Sequence, residues 1–140
     1  MSGFLRRLTH VTAVVLGGMA LTAAGPRSAW SGVYTDEQAM AGEKIYFARC
    51  SSCHGDELGG IERAPALAGG PFLEAWRGRN LRRLFDRLDE MPPTEPKSLS
   101  PADAVAVMAF LLRSSEIPSG PTALPADRAQ LGDITFERTP

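Results

Sequence analysis

Beyond residue 10 the 140-residue chain has a single histidine, His54, and its only two cysteines stand three positions apart, at Cys50 and Cys53. That scarcity excludes several architectures. A disulfide framework spreads its cysteines along the chain, and a bridge between Cys50 and Cys53 would close too small a loop to restrain the unfolded state. A zinc site has Cys50, Cys53 and His54 to draw on but needs a fourth ligand, and three ligands within five residues fit a tetrahedron badly. Aromatic residues are only 7% of the chain. No stretch alternates as a strand should, apart from a hint at Ile134 and Phe136. There are no internal repeats. The longest apolar run, 11–24, is short of the roughly 20 residues that span a bilayer as a helix.

That apolar run has a meaning of its own. Residues 1–10 carry Arg6 and Arg7 and no acidic residue, and small residues follow the run. A positive start, a short apolar middle and a small-residue exit are the layout of a secretory signal peptide. Residues 1–31 are therefore expected to form a signal peptide, cut after residue 24 or after residue 31, and no membrane span is expected in the mature form. Loss of Arg6, Arg7 and Arg27 would leave 12 basic against 16 acidic residues, a net charge of about −4. Bulk charge of that sign argues against binding nucleic acid. A main domain at 32–115 and a Pro-rich tail at 116–140, packed on that domain, complete the expected organisation.

The mature part reads as all-α, with three to five short helices and long loops. Thr35 followed by Gln38 is a capping-box pattern and predicts a helix from Asp36 to Arg49. Residues 55–70 are rich in glycine and proline and read as a loop. A short helix is expected over Pro71 to Arg77. Asn80 is placed to cap LRRLFDRLDE, whose Leu81, Leu84, Phe85 and Leu88 form one apolar stripe. Met91-Pro92-Pro93 breaks that helix. Ser100-Pro101 starts another, with proline at the first helical position and an apolar stretch from Ala104 to Leu112.

A domain of this size with long loops has a thin core. The stretch Cys50-Ser51-Ser52-Cys53-His54 supplies a way to fill it. C-x-x-C-H is the attachment sequence of a c-type haem. Two thiols on one helical turn can add to the two vinyl groups on one porphyrin edge, and the next residue projects its imidazole toward the iron. A thioredoxin-like redox pair is the rival, but such pairs lie near βαβ units and none is evident. Cys50, Cys53 and His54 are thus the candidate ligands of one covalent haem c, with His54 on the iron.

The sixth iron ligand follows by elimination. Once His10 leaves with the leader there is no second histidine, so the choice lies among Met40, Met91 and Met108. Met40 sits on the helix leading into Cys50, on the wrong side for the opposite haem face. Met108 lies within the most apolar helix and reads as core. Met91 begins a loop stiffened by Pro92 and Pro93, about 40 residues after the motif. His54 and Met91 are the expected metal ligands. Phe72, Trp76, Leu81, Leu84 and Phe85 are expected to wall the haem, with Trp76 a candidate hydrogen-bond donor to a propionate.

These residues resemble class I cytochromes c, small monohaem electron carriers of the bacterial periplasm, over roughly Tyr34 to Arg113. Gly42, Tyr46 and Cys50 keep that family's four-residue rhythm. The resemblance implies that Gly42 lets the first helix cross the last one closely, against Val107, Phe110 and Leu111. Ala64-Pro65-Ala66-Leu67 resembles the family's loop in which a proline carbonyl orients the proximal histidine. It implies that the Pro65 carbonyl accepts a hydrogen bond from the second ring nitrogen of His54. Met91-Pro92 resembles the distal-ligand motif, and Lys97 stands where similar sequences often have glycine.

The implied function is one-electron transfer rather than catalysis, because a His/Met-ligated iron has no open position for a substrate. The expected partners are a periplasmic dehydrogenase as donor and a cytochrome or oxidase as acceptor. The alternatives are a haem-based sensor or peroxidase-like enzyme with a labile Met91, or a fixed subunit of a respiratory complex. Arg77, Arg79, Arg82, Arg83 and Arg87, opposed locally only by Asp86, suggest a positive docking patch near the Met91 loop.

Overall fold

The computed structural model describes residues 26–137. The expected signal peptide up to residue 24 lies outside them. Helix α1 spans Asp36–Arg49 and α2 spans Ser51–His54. Helices α3, Gly69–Trp76, α4, Leu81–Asp89, and α5, Pro101–Ser114, follow, and α6, Arg128–Gly132, lies in the tail. Two-residue strands β1, Arg27–Ser28, and β2, Ile134–Thr135, pair in parallel, Arg27 opposite Ile134.

The caps lie where the sequence puts them. Thr35, Asn80 and Ser100 each accept a hydrogen bond from the backbone N–H three residues on, which satisfies a donor the helix start would leave unpaired. The capping box at Thr35 is only half formed. The Gln38 side chain turns away to the tail, donating to the carbonyl of Leu124 and accepting from its N–H, at 2.9 and 2.8 Å. The helix expected over Pro71 to Arg77 begins two residues earlier, at Gly69.

Helices α1 and α5 form the central seam. A Cβ at Gly42 would lie 1.8 Å from the Ala106 carbonyl oxygen and 2.8 Å from the Val107 nitrogen. Only a residue without a side chain allows the backbones so close. The crossing point is therefore the Ala106 carbonyl, with Phe110 one turn on, its ring 5.2 Å from that of Tyr46. Along α5 every residue from Ala104 to Leu112 is buried. The α4 stripe of Leu81, Leu84, Phe85 and Leu88 is buried too.

The two ends of the described chain are tied to the rest of the domain. The tail supplies core residues, Ile117, Leu124, Leu131, Ile134 and Phe136. It carries α6 and β2. Tyr34 donates its phenol proton to the Ile117 carbonyl at 2.5 Å, and the Gly120 N–H bonds the Tyr34 carbonyl at 2.7 Å. Residues 27–31 also belong to this body. Ala29 is fully buried, and the Ser28 hydroxyl bonds the Glu137 carbonyl. Strand β1, which precedes residue 32, thus has its partner in the tail.

Candidate haem site

The haem motif sits at the end of α1. The Cys50 N–H still bonds the Tyr46 carbonyl at 2.8 Å, and Cys53 and His54 both donate backbone N–H groups to the Cys50 carbonyl, at 3.2 and 3.0 Å. One tight turn therefore carries both thiols and the imidazole. Both cysteines are free; Cys53 is exposed and Cys50 half-buried. Burial pushes the Cys50 thiol above its usual value, the Cys53 sulfur adding and the Arg49 guanidinium opposing. The fully buried Tyr46 clamps the turn, donating its phenol proton to the Gly55 carbonyl at 2.6 Å.

His54 Nδ1 lies 2.9 Å from the Pro65 carbonyl oxygen. A carbonyl only accepts, so Nδ1 is the donor, and Nε2 is the ring nitrogen left to face a metal. The loop that delivers this carbonyl is held from both sides. Gly60 donates its N–H to the His54 carbonyl at 2.9 Å, and Leu67 donates to the Leu58 carbonyl at 2.8 Å. Gly60 has φ +81°, and a Cβ there would lie 2.5 Å from the Ala64 oxygen and 2.8 Å from the Pro65 carbonyl carbon. The segment bearing Pro65 is packed against a glycine backbone. The Gly59-Gly60 pair in the sequence signals a turn but not which residue that turn would hold.

Met91 is half-buried at the end of α4, its N–H bonded to the Leu88 carbonyl at 3.0 Å. Met40 is 48% exposed on α1, and Met108 is fully buried in α5. The loop after Met91 turns at Lys97, whose φ is +60° and whose N–H bonds the Asp89 carbonyl at 2.6 Å. Lysine thus adopts here the left-handed backbone that glycine takes most readily. Arg49 also reaches this loop, donating from Nη2 to Ser98 Oγ at 2.6 Å and to Glu95 Oε2 at 3.3 Å. Sequence spacing had no signal for that bond.

Of the expected wall residues, Phe72 is fully buried and Trp76 is half-buried beside it, with ring centres 6.2 Å apart. Phe136 from the tail completes the cluster, 5.9 Å from Phe72 and 6.1 Å from Trp76. The Arg79 guanidinium covers the Trp76 ring at 5.7 Å. Leu67 and Leu73 are also only partly buried against the core. The arginine face is less positive than its residue count suggests. Arg77 pairs with Glu74, Arg87 with Glu90 and Arg82 with Asp86, because helical spacing of three and four brings those carboxylates alongside.

A model of the family described as cytochrome c oxidase, cbb3-type, subunit III matches residues 37–111, more than half of the chain. The chain belongs to this cytochrome c family. A curated relative, the cbb3-type cytochrome c oxidase subunit CcoP of Rubrivivax gelatinosus, is 30% identical over 104 residues, which is 72% of this chain and 33% of that protein. The chain thus spans about a third of the length of that relative. Among solved structures, the sulfane dehydrogenase SoxCD of Paracoccus pantotrophus superposes with a TM-score of 0.52 at 23% identity, over 81% of this chain and 61% of that one. That likeness is one of fold, the all-α cytochrome c fold.

A cytochrome of this family carries a covalently bound haem c with its iron, and its chemistry is electron transfer. The residues present fit the group. Two free thiols share one turn, an imidazole is fixed through one nitrogen with the other available, and partly buried apolar side chains stand next to the core. Among the described residues no helix is long and apolar enough to cross a membrane.

Proposed function

We propose that this cytochrome is a one-electron carrier of the periplasm, exported by its N-terminal segment and working between a dehydrogenase and a respiratory acceptor. Cys50 and Cys53 would hold the haem, and His54 and Met91 would ligate its iron. The observation that carries this reading is the bond between His54 Nδ1 and the Pro65 carbonyl, which fixes the imidazole with Nε2 ready to bind iron. When bound, the haem supplies an iron that exchanges one electron between its ferric and ferrous states. The chain's part is to hold both ligands in both states, which removes any vacant position for substrate. Trp76 is proposed to donate its indole N–H to a propionate.

Replacement of Met91 tests the ligand pair. Met91→Ala in the holoprotein should admit exogenous ligands and lower the reduction potential, whereas Met40→Leu and Met108→Leu should leave the iron spectrum unchanged. An unchanged spectrum and potential in Met91→Leu would remove Met91 from the site.

A second reading, a fixed subunit within a larger respiratory assembly, is favoured by the likeness to an oxidase subunit. Purification from the native host in mild salt distinguishes the two. A free monomer supports the carrier, and stable co-purification with an oxidase or dehydrogenase supports the subunit. Residues 27–31 are integrated with the tail, which supports cleavage of the leader after residue 24 rather than after residue 31.

A further inference from the structure

We propose that Arg49 is a positioning residue that straps the Met91 loop to the haem-binding turn and so keeps the sixth iron position closed. This rests on the reading of Met91 as the iron ligand. Arg49 is the last residue of α1 and the immediate neighbour of Cys50. Its guanidinium extends to the loop that follows Met91, to Ser98 Oγ at 2.6 Å and Glu95 Oε2 at 3.3 Å. Glu95 and Ser98 lie four and seven residues beyond Met91. One side chain therefore joins the segment that carries the cysteines and His54 to the segment that carries Met91.

The loop has need of such a tie. Residues 93–98 are exposed and form no regular structure. Their backbone is anchored on the α4 side through the Lys97 N–H to the Asp89 carbonyl, and at the far end by the buried Leu99. The Arg49 contacts anchor the loop from the α1 side. A thioether is a weak donor, so the fraction of time Met91 stays in place depends on how readily its loop swings out.

The two contacts are unequal. Glu95 is 69% exposed at its side chain, so its ion pair is screened and contributes little. Ser98 is exposed as well, but its bond to Arg49 is the shorter of the two, 2.6 Å against 3.3 Å, and charge-assisted, so it holds the larger share of the strap. This ranking makes Ser98→Ala the sharper variant, and it alters nothing next to the cysteines. An exogenous ligand binds only the open form, so its apparent affinity scales with the open fraction.

The test uses ferric holoprotein and imidazole. Ser98→Ala and Arg49→Ala should each raise the apparent imidazole affinity about fivefold, equal to roughly 1 kcal/mol of lost closure. They should also weaken the methionine–iron charge-transfer band on mild warming. Ser98→Thr, which keeps the hydroxyl, should match the parent protein. Glu95→Gln should have a smaller effect than Ser98→Ala. Unchanged affinity in both Ser98→Ala and Arg49→Ala, with the site opened by Met91→Leu, would overturn the strap and leave the ligand reading standing. A Met91→Leu protein with the parent's spectrum would overturn both. Equal gains for Ser98→Thr and Ser98→Ala would also count against the strap, because loss of the hydroxyl would not be the cause.

Discussion

Replacing Gly42 with alanine should open the central seam of the molecule. The new methyl carbon would sit 1.8 Å from the Ala106 carbonyl oxygen, 2.3 Å from its carbon and 2.8 Å from the Val107 nitrogen. All three belong to the backbone of α5, so no side chain can rotate to relieve the clash. A carbon and a carbonyl oxygen in contact rest about 3.3–3.6 Å apart, and the two helices would have to part by roughly 1.5 Å. That movement loosens the Tyr46–Phe110 contact and the α1–α5 packing around it. Overpacking costs about 1–3 kcal/mol where neighbours adjust, and a backbone obstacle puts the expected loss at about 3 kcal/mol or more. The same change at Gly59 should cost little. No atom lies within 4 Å of a Cβ placed at Gly59, so alanine should leave stability within about 0.5 kcal/mol of the parent. Guanidinium denaturation of the two holoproteins, followed by circular dichroism at equal m, measures both. A Gly42→Ala protein within about 0.5 kcal/mol of the parent would refute the close crossing.

Further outcomes are expected from the same geometry. Protein made with haem-attachment machinery should show the mass of the polypeptide plus one haem after denaturation, and Cys50→Ala with Cys53→Ala should lose it; recovery of only the bare polypeptide from the parent would sink covalent attachment. Lys97→Gly should stabilise by about 0.5–1 kcal/mol, because relief of the left-handed backbone at φ +60° exceeds the added freedom of the unfolded chain; a loss in thermal or denaturant stability would contradict this. Burial, with smaller contributions from Cys50 and Asp56, pushes the Tyr46 phenol up to about 12. The unfolded phenol ionises near 10, so the folded state keeps a proton that the unfolded state loses. Stability from this group is full below about pH 10 and is lost as pH rises toward 12. The drop in unfolding free energy between pH 9 and pH 11 should be smaller in Tyr46→Phe, and equal slopes would show that another group titrates.

The local features of this cytochrome were determined by short-range chemistry and are legible in its residues. Thr35, Asn80 and Ser100 start helices because a side-chain oxygen three residues ahead of an unpaired N–H satisfies it wherever it occurs. The C-x-x-C-H turn is likewise a matter of spacing, and the burial of the α4 stripe follows from its period. Tertiary structure decided what lies far apart in the chain. That Gln38 would leave its capping box for Leu124, 86 residues away, depends on the path of a proline-containing tail with no periodic signal. That Phe136 would join Phe72 and Trp76, or that Arg27 would pair with Ile134, depends on the same path. The arginines between 77 and 87 read as a positive patch when charges are counted, but their pairing with Glu74, Asp86 and Glu90 is again local, set by helical spacing of three and four. Arg49 shows the division most clearly. Its place before Cys50 is a fact of the sequence, but its reach to Ser98 exists only because α1 and the Met91 loop meet across 49 residues of chain.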